Sequence, residues 1–213
     1  MARRPSFRRP RRPRIVGRKV IIACEGSKTE RGYFEEIRKS MRLPTLHIFV
    51  VHPNATDPRS IVRAAIEYRR ERKADKTWTA GDEAWAVFDG DEHMLSNPAN
   101  WNDALQTARN NQIQLAVSNP SFEFWYLLHY QEHGGNLSRQ DALRLLRRHI
   151  ENYEKADKLW PVPLEPLTAE AIQRAKQLAR RAEADGLKPH SNPCTGVCEL
   201  VESLLKLAEE VRR

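Results

Sequence analysis

The sequence predicts an α/β fold in which a four-stranded parallel sheet is covered by helices on both faces. Four short apolar segments have the length and composition of buried strands, at residues 19–23, 46–51, 84–88 and 112–117. Segments with helical spacing separate them, at residues 27–40, 59–73 and 98–110. Strands that alternate with helices in this way are typical of parallel sheets. From residue 121 onwards the pattern is helical, which predicts an α/β domain over 19–120 and a helical C-terminal extension packed on it over 121–213.

The net charge of +8 is concentrated at the start of the chain. Residues 1–19 contain nine Lys or Arg and no acidic residue, whereas the remainder contains 27 basic and 28 acidic residues and is nearly neutral. Residues 1–18 repeat Arg and Pro without apolar periodicity, so we predict a disordered basic arm. Such an arm can bind phosphate backbones by releasing counterions. The candidate contacts are Arg11, Arg12, Arg14 and Arg18. A solubilising tail explains the same composition equally well.

The cysteine content and the hydropathy pattern both predict a soluble, cytoplasmic protein. The three cysteines, Cys24, Cys194 and Cys198, do not suggest a disulfide scaffold and fit a reducing compartment. No apolar run approaches the length of a membrane span, and the arginine-rich start does not resemble a secretory signal. We therefore expect no membrane partner, while the sequence leaves homo-oligomerisation open.

Two aspartates follow the third predicted strand, at the end of the strand where open α/β sheets bind ligands. Asp89 and Asp91 are separated by Gly90, and residues two apart in extended backbone point to the same side. Both carboxylates can then bind one Mg²⁺ (or Mn²⁺), because these ions prefer oxygen ligands. The alternative is an Asp-Gly-Asp turn that is merely solvated.

A glutamate occupies the corresponding position after the first predicted strand. Glu25 precedes a glycine and lies at the positive end of the dipole of the next helix, which makes it a candidate for catalysis and for metal binding. Lys28 is a candidate contact for a substrate phosphate. Ser27 and Glu30 have the spacing of a capping box, which predicts that Glu30 serves the helix end rather than any chemistry.

Aromatic residues are dense over 122–130, which predicts packing in the core or between lobes rather than stacking on nucleic-acid bases. Glu123 lies within this stretch, and a carboxylate among apolar side chains is costly unless it is paired or metal-bound. Glu123 is therefore a further candidate for the site. Its place at a helix start, just after Pro120, offers a simpler explanation.

Two other patterns resemble metal sites, although a different interpretation is favoured for each. His129, Glu132 and His133 match a zinc-peptidase string, but two glycines end the helix directly after it. Cys194 and Cys198 are one helical turn apart, with a histidine nearby, yet cysteines at this spacing more often face a core.

Four segments of the chain together resemble the RloB family. They are Cys-Glu-Gly at 24–26, Phe-Asp-Gly-Asp-Glu-His at 88–93, Ser-Asn-Pro-Ser-Phe-Glu-Phe-Trp at 118–125, and Asn-Pro-Cys-Thr-Gly-Val at 192–197. The resemblance spans about residues 19–205. The first two segments also resemble Toprim domains, the catalytic modules of topoisomerases, primases and overcoming-lysogenisation-defect nucleases. Those domains have a four-stranded parallel sheet, a glutamate after the first strand and Asp-x-Asp after the third.

The resemblance implies a magnesium-dependent nuclease. Glu25 matches the catalytic acid/base glutamate of Toprim domains, and Asp89 and Asp91 match their magnesium-binding pair. Glu92 and Glu123 are the remaining acids that we nominate for the site. RloB-like proteins occur with restriction and phage-defence loci, and related Toprim effectors pair with ATPase sensors. This implies an effector of phage defence or abortive infection that has a partner ATPase. The alternative is a non-catalytic subunit that binds nucleic acid through the basic arm and docks on such an ATPase.

Overall fold

The described part of the chain is built around one mostly parallel sheet. The computed structural model describes residues 18–26, 28–44, 48–51, 53, 57–154, 159–160 and 162–212, with the backbone alone for Asp91 and Glu92. Its strands are β1 (Val20–Cys24), β2 (Ile48–Val51), β3 (Glu83–Asp89), β4 (Gln114–Asn119) and β5 (Cys194–Thr195). The order across the sheet is β2-β1-β3-β4-β5. The first four strands are parallel, and β5 runs antiparallel to β4.

Helices connect and cover these strands, which confirms the predicted α/β class. They are α1 (Thr29–Ser40), α2 (Pro58–Ala74), α3 (Asp91–Ser96), α4 (Pro98–Asn110), α5 (Glu123–Leu128), α6 (Arg139–Leu146), α7 (Thr168–Ala184) and α8 (Val197–Arg212), with a 3₁₀ turn at Glu165–Leu167. The predicted helix at 98–110 has the predicted bounds, whereas α3 was not predicted. None of the described helices is long and apolar enough to span a membrane.

The fifth strand corrects two sequence predictions. Within the described residues the sheet has five strands rather than four, and the additional strand comes from a segment that was predicted to be helical. Cys194 pairs with Asn119 and Thr195 pairs with Ser118, so that this short segment covers the carboxyl half of β4. The C-terminal part of the chain is therefore not purely helical, because it contributes an edge strand to the sheet.

Both faces of the central strands are buried, as expected for a parallel sheet. Along β1, Val20, Ile22 and Cys24 point into one apolar cluster, which also contains residues of α1, α5, α7 and α8. Ile21 and Ala23 point into the opposite cluster, which contains residues of α2 and α4. The helices after residue 121 therefore pack on one face of the sheet, and α2 and α4 pack on the other.

The aromatic stretch after β4 lies in the core, as the sequence predicted. Phe122, Phe124, Trp125 and Tyr126 are all buried. The indole Nε1 of Trp125 donates a hydrogen bond to the hydroxyl of Tyr33 in α1 (2.9 Å), so that the polar atom of each ring has a partner. This contact fixes α5 against α1, on the same face of the sheet.

The close approach of β5 to β4 generates a prediction. Gly196 follows β5, and its N–H donates to the carbonyl of Val117 (2.8 Å). A Cβ at this position would lie 3.1 Å from the carbonyl oxygen of Leu115 and 3.3 Å from the Cα of Ala116. Since backbone atoms cannot rotate away, we expect Gly196→Ala to lower the free energy of unfolding by about 1–3 kcal/mol, measured by urea denaturation.

Gly32 provides the matched control for this substitution. It lies inside α1, and no atom lies within 4 Å of the Cβ that alanine would add. Gly32→Ala should therefore raise the free energy of unfolding by about 0.5–1 kcal/mol, because glycine is a poor helix former. Equal effects of the two substitutions would contradict the described packing of β5 on β4.

Candidate acidic site at the carboxyl edge of the sheet

The pairing of β1 with β3 brings Glu25 next to Asp89. The two strands are adjacent and parallel, so the residue after β1 lies beside the end of β3. The N–H of Glu25 donates to the carbonyl of Val87 (2.9 Å), which extends the ladder by one residue. The carboxylate Oε2 of Glu25 accepts a hydrogen bond from the N–H of Asp89 (2.9 Å). The two residues that the sequence placed at one edge of the sheet are thus in direct contact.

Asp89 is buried, with 7% of its surface exposed, and both of its oxygens are bound by protein donors. Oδ1 accepts from the backbone N–H of Phe122 (2.9 Å), and Oδ2 pairs with the Nη2 of Arg139 (3.0 Å). Burial raises the pKa of Asp89 well above its usual value, and the nearby carboxylates of Glu30, Glu25 and Glu123 raise it further. The Arg139 guanidinium opposes this rise in pKa without cancelling it. The site therefore holds an excess of negative charge.

Glu30 belongs to this cluster, although the sequence analysis assigned it to the end of α1. It is 6% exposed, and after burial it is the largest influence on the pKa of Asp89. A Cβ on Gly26 would lie 1.7 Å from the Oε2 of Glu30, so the absence of a side chain at 26 makes room for this carboxylate. Ser27, the other half of the predicted capping box, lies outside the described residues. The sequence signal that could have identified Glu30 is its place one helical turn after the glycine beside Glu25.

Glu123 reaches the cluster from the helix after β4. It is the first residue of α5 and 3% exposed, and its Oε2 accepts a hydrogen bond from the hydroxyl of Ser121 (2.6 Å). Its charge contributes to the raised pKa of Asp89. Glu123 therefore combines the two interpretations of the sequence, since it starts a helix and also adds negative charge to the site.

Two basic side chains that the sequence analysis did not nominate also lie at the site. The Nε2 of His93, in α3, is 3.0 Å from the Oε1 of Glu25. Arg139, at the start of α6, reaches Asp89 from fifty residues further along the chain. His93 is the last residue of the sequence motif at 88–93, so this motif could have identified His93 as a site residue. No local pattern marks Arg139, because only the packing of α6 brings it to the sheet.

The structure corrects the geometry that was predicted for Asp91. Strand β3 ends at Asp89, Gly90 has helical dihedral angles (φ −97°, ψ −37°), and Asp91 is the first residue of α3. The extended backbone that was predicted from Asp89 to Asp91 is therefore wrong. The side chains of Asp91 and Glu92 lie outside what the structure describes, so their part in metal binding stays a prediction.

The basic residues that were predicted to contact phosphate have three different outcomes. Lys28 is exposed at the position just before α1. Arg18 was predicted to belong to the disordered arm, but its guanidinium pairs with Glu83, at the start of β3, and donates to the carbonyl oxygen of Ser203 (2.8 Å). This end of β3 is opposite the acidic site, so Arg18 ties the first described residues to α8 rather than standing free for phosphate. Arg11, Arg12 and Arg14 lie outside the described residues.

The two other metal-like patterns do not form sites among the described residues. Helix α5 ends at Leu128, so His129 is not on a helix with His133, and the Nδ1 of His129 donates to the carbonyl of Trp125 (2.9 Å). Burial lowers the pKa of His129 to about 4. Cys194 is in β5 and Cys198 is in α8, and burial raises the pKa of Cys198 to about 12. In the described part of the chain, no three His, Cys, Asp or Glu side chains are arranged to hold a metal ion.

The sequence matches the model of one protein family over most of its length. The family model for RloB-like proteins matches residues 20–204. The chain belongs to the RloB-like family. The match includes every strand of the sheet and the described acidic cluster of this RloB-like chain. Searches of curated proteins and of solved structures found no match.

The excess negative charge of the site predicts an unusual response to losing a carboxylate. At pH 7, we expect the free energy of unfolding of Asp89→Asn to be equal to or higher than that of the unsubstituted chain. Burial and the other carboxylates disfavour the charged form of Asp89, and asparagine carries no charge while its amide oxygen can still accept from Phe122. Urea denaturation measures this difference.

Asp57 provides a matched control of the same substitution. Burial raises the pKa of Asp57, but hydrogen bonds from Ser60 and Asn100 outweigh burial and lower the pKa below its ordinary value. Asp57 also caps α2, so Asp57→Asn should lower the free energy of unfolding by about 0.5–1 kcal/mol through the helix dipole. A larger loss for Asp89→Asn than for Asp57→Asn would mean that the acidic cluster is a structural ion-pair network.

Proposed function

We propose that this RloB-like chain is a magnesium- or manganese-dependent nuclease that hydrolyses phosphodiester bonds of DNA or RNA through a Toprim-like site. The observation that carries the proposal is the clustering of acidic side chains at the carboxyl edge of the sheet. Glu25 follows β1, Asp89 ends β3, and Glu123 begins the helix after β4, with Glu30 beside them from α1. This edge is where open α/β sheets bind ligands.

The energetic cost of the cluster supports a functional role. Carboxylates that are buried near one another disfavour their charged forms, and the raised pKa of Asp89 reflects this cost. Strongly perturbed groups are concentrated at functional sites, because a substrate or ion offsets the cost when it binds. A phosphodiester is itself an anion, so a site this acidic requires a cation between its carboxylates and the substrate.

The donor chemistry of the cluster fits a hard divalent cation. Carboxylate oxygens are the ligands that Mg²⁺ and Mn²⁺ prefer, and the Glu25 carboxylate, bound to the backbone of Asp89, lies close enough to raise the pKa of the Asp89 carboxyl. These two residues, with Asp91 as the sequence predicts, would hold the ion. When bound, the ion would neutralise charge on the phosphate and lower the pKa of a water molecule.

Side chains of the protein would provide proton transfer and phosphate binding in the proposed hydrolysis. The Glu25 carboxylate accepts a proton from the attacking water, and His93, hydrogen-bonded to the same carboxylate at 3.0 Å, orients it. Arg139 can exchange its pairing with Asp89 for pairing with the phosphate oxygens, since a guanidinium matches the geometry of both groups. Lys28 is the second cation proposed to neutralise the phosphate, and Glu123 is proposed to complete the acidic set.

We also propose that the nuclease is an effector of phage defence or abortive infection that acts with a partner ATPase, as the family resemblance implies. The second candidate function is a non-catalytic, nucleic-acid-binding subunit of such an assembly. One observation favours it: Arg139 and the Phe122 N–H satisfy both oxygens of Asp89, as in a purely structural network. Cleavage by the purified chain separates the two functions.

The acidic cluster predicts which substitutions abolish cleavage. We expect Glu25→Gln and Asp89→Asn each to reduce the turnover of DNA or tRNA by about 10²–10⁴-fold, because each removes a group that acts in the reaction. Chelation of the divalent metal should remove the activity of the unsubstituted chain. The measurement is a gel assay of cleavage with Mg²⁺ or Mn²⁺.

Glu35→Gln is the matched control for the cleavage assay. Glu35 lies on the outer side of α1, paired with Arg31 (2.9 Å), so its substitution should leave turnover unchanged. Full cleavage by folded Glu25→Gln would exclude the proposed site. Absence of cleavage by the unsubstituted chain, together with metal-independent binding of nucleic acid, would support the non-catalytic subunit.

The basic arm predicts a separate effect on affinity. Deletion of residues 1–17 removes Arg11, Arg12 and Arg14 but keeps Arg18, which the structure assigns to the fold. We expect weaker binding of nucleic acid and a flatter salt dependence, by about 0.9 in the log–log slope for each phosphate of duplex DNA that the shortened chain no longer neutralises. Turnover at saturating substrate should be unchanged. A loss of turnover at saturation would place the arm in the active site.

A further inference from the structure

A cleft with a volume of about 720 Å³ opens beside the acidic cluster. Met94 and Leu95 of α3 line it. Polar side chains at the start of α6 and in the segments before α6 and before β5 also line it, among them Asn136, Arg139 and Asn192. Apart from Arg139, these residues have no role in the proposed reaction.

The cleft borders the acidic site at Arg139. Arg139 lines the cleft, and its Nη2 lies 3.0 Å from the Oδ2 of Asp89. Met94, which also lines the cleft, belongs to α3, the helix that starts two residues after Asp89. A ligand that reaches Arg139 in the cleft therefore lies next to the carboxylate of Asp89.

The lining of the cleft is partly apolar and partly polar. Leu95 is 85% exposed, and with Met94 it gives the α3 part of the cleft an apolar surface. Polar groups line the rest of the cleft, among them the amide of Asn136 and the guanidinium of Arg139. Asn119 also lines the cleft; its Nδ2 donates to the carbonyl of His190 (2.9 Å), while its Oδ1 has no hydrogen-bond partner among the described residues. Apolar and polar groups in one cleft suit a flat ring that carries polar edges and a phosphate.

We propose that this cleft binds one unpaired nucleotide of the substrate, with its base against Leu95 and Met94 and its phosphate at Arg139. The inference rests on the proposed function and narrows its substrate to single-stranded or locally unpaired nucleic acid. The volume lies within the range of about 300–1,000 Å³ that is typical of small-ligand pockets. A base that is stacked and paired in a duplex cannot enter such a pocket until it leaves the stack.

The test is a double-mutant cycle between Leu95 and the base. The ligands are fluorescent single-stranded hexanucleotides, oligothymidylate and oligouridylate, each compared with an abasic hexamer of the same charge. Affinity is measured by anisotropy with Mg²⁺ on a Glu25→Gln background, which prevents cleavage. We expect removal of the bases to weaken binding about tenfold (about 1.4 kcal/mol) in this background. After addition of Leu95→Ala, the same removal should weaken binding less than twofold, because the side chain against which the base packs is already absent.

Leu187→Ala is the matched control, since Leu187 is also an exposed leucine (52%) but does not line the cleft. In the Leu187→Ala variant, removal of the bases should still weaken binding about tenfold. Photo-crosslinking with a 4-thiouridine hexamer provides a second readout, and it should label the peptide that contains Met94 and Leu95. Additive effects of Leu95→Ala and base removal, or crosslinks confined to other segments, would overturn the proposed cleft.

The outcomes separate this inference from the proposed function. Cleavage that depends on Asp89, together with an additive cycle, would retain the nuclease and reject the cleft. A non-additive cycle and a crosslink at α3, without cleavage by the unsubstituted chain, would support the cleft as a nucleic-acid site and reject the nuclease. Tighter binding of duplex than of single strands by the unsubstituted chain would also reject the unpaired nucleotide.

Discussion

The pairing of β1 with β3 at the centre of the sheet determines how Glu25 and Asp89 lie relative to each other. Val20 lies opposite Glu83 and Cys24 lies opposite Val87, so β3 continues for two residues beyond the end of β1. In this register Glu25 meets the backbone of Asp89 instead of lying one residue too early or too late. A shift by one residue would reverse which face each side chain of β1 enters, and both faces are filled with apolar residues. The apolar core thus fixes the register, and the register fixes the site.

The acidic edge receives basic side chains from separate parts of the fold. His93 comes from the helix that follows β3, and Arg139 comes from α6. Each contacts one carboxylate of the Glu25–Asp89 pair, so both carboxylates have a partner from a helix. The carboxylates of the sheet edge still outnumber these basic groups. In the proposed reaction, an ion or phosphate would change these contacts, which would link substrate binding to the packing of α6.

The part of the site that the sequence predicted depends on a simple rule of parallel sheets. Glu25 and Asp89 each follow an apolar run, and parallel strands end at the same edge, so their proximity followed without knowledge of side-chain packing. The extended backbone predicted from Asp89 to Asp91 was wrong, because the chain leaves the strand at Gly90 and enters a helix at once. Glu30 was predicted to cap the start of α1, because its spacing from Ser27 is that of a capping box. Arg139 could not be predicted, since only tertiary packing brings it near.

Strand β5 also has a consequence for the order in which the chain can complete its structure. Ser118 lies beside Asp89 on one side and beside Thr195 on the other. The sheet edge next to the carboxylates therefore stays open until a ribosome has synthesised the chain through Thr195, far beyond the residues of the acidic cluster. The carbonyl oxygen of His190, which accepts a hydrogen bond from the side-chain amide of Asn119, is also supplied after those residues. For a protein with a proposed nuclease activity, this topology makes the edge beside the carboxylates depend on a segment that is synthesised after all of them.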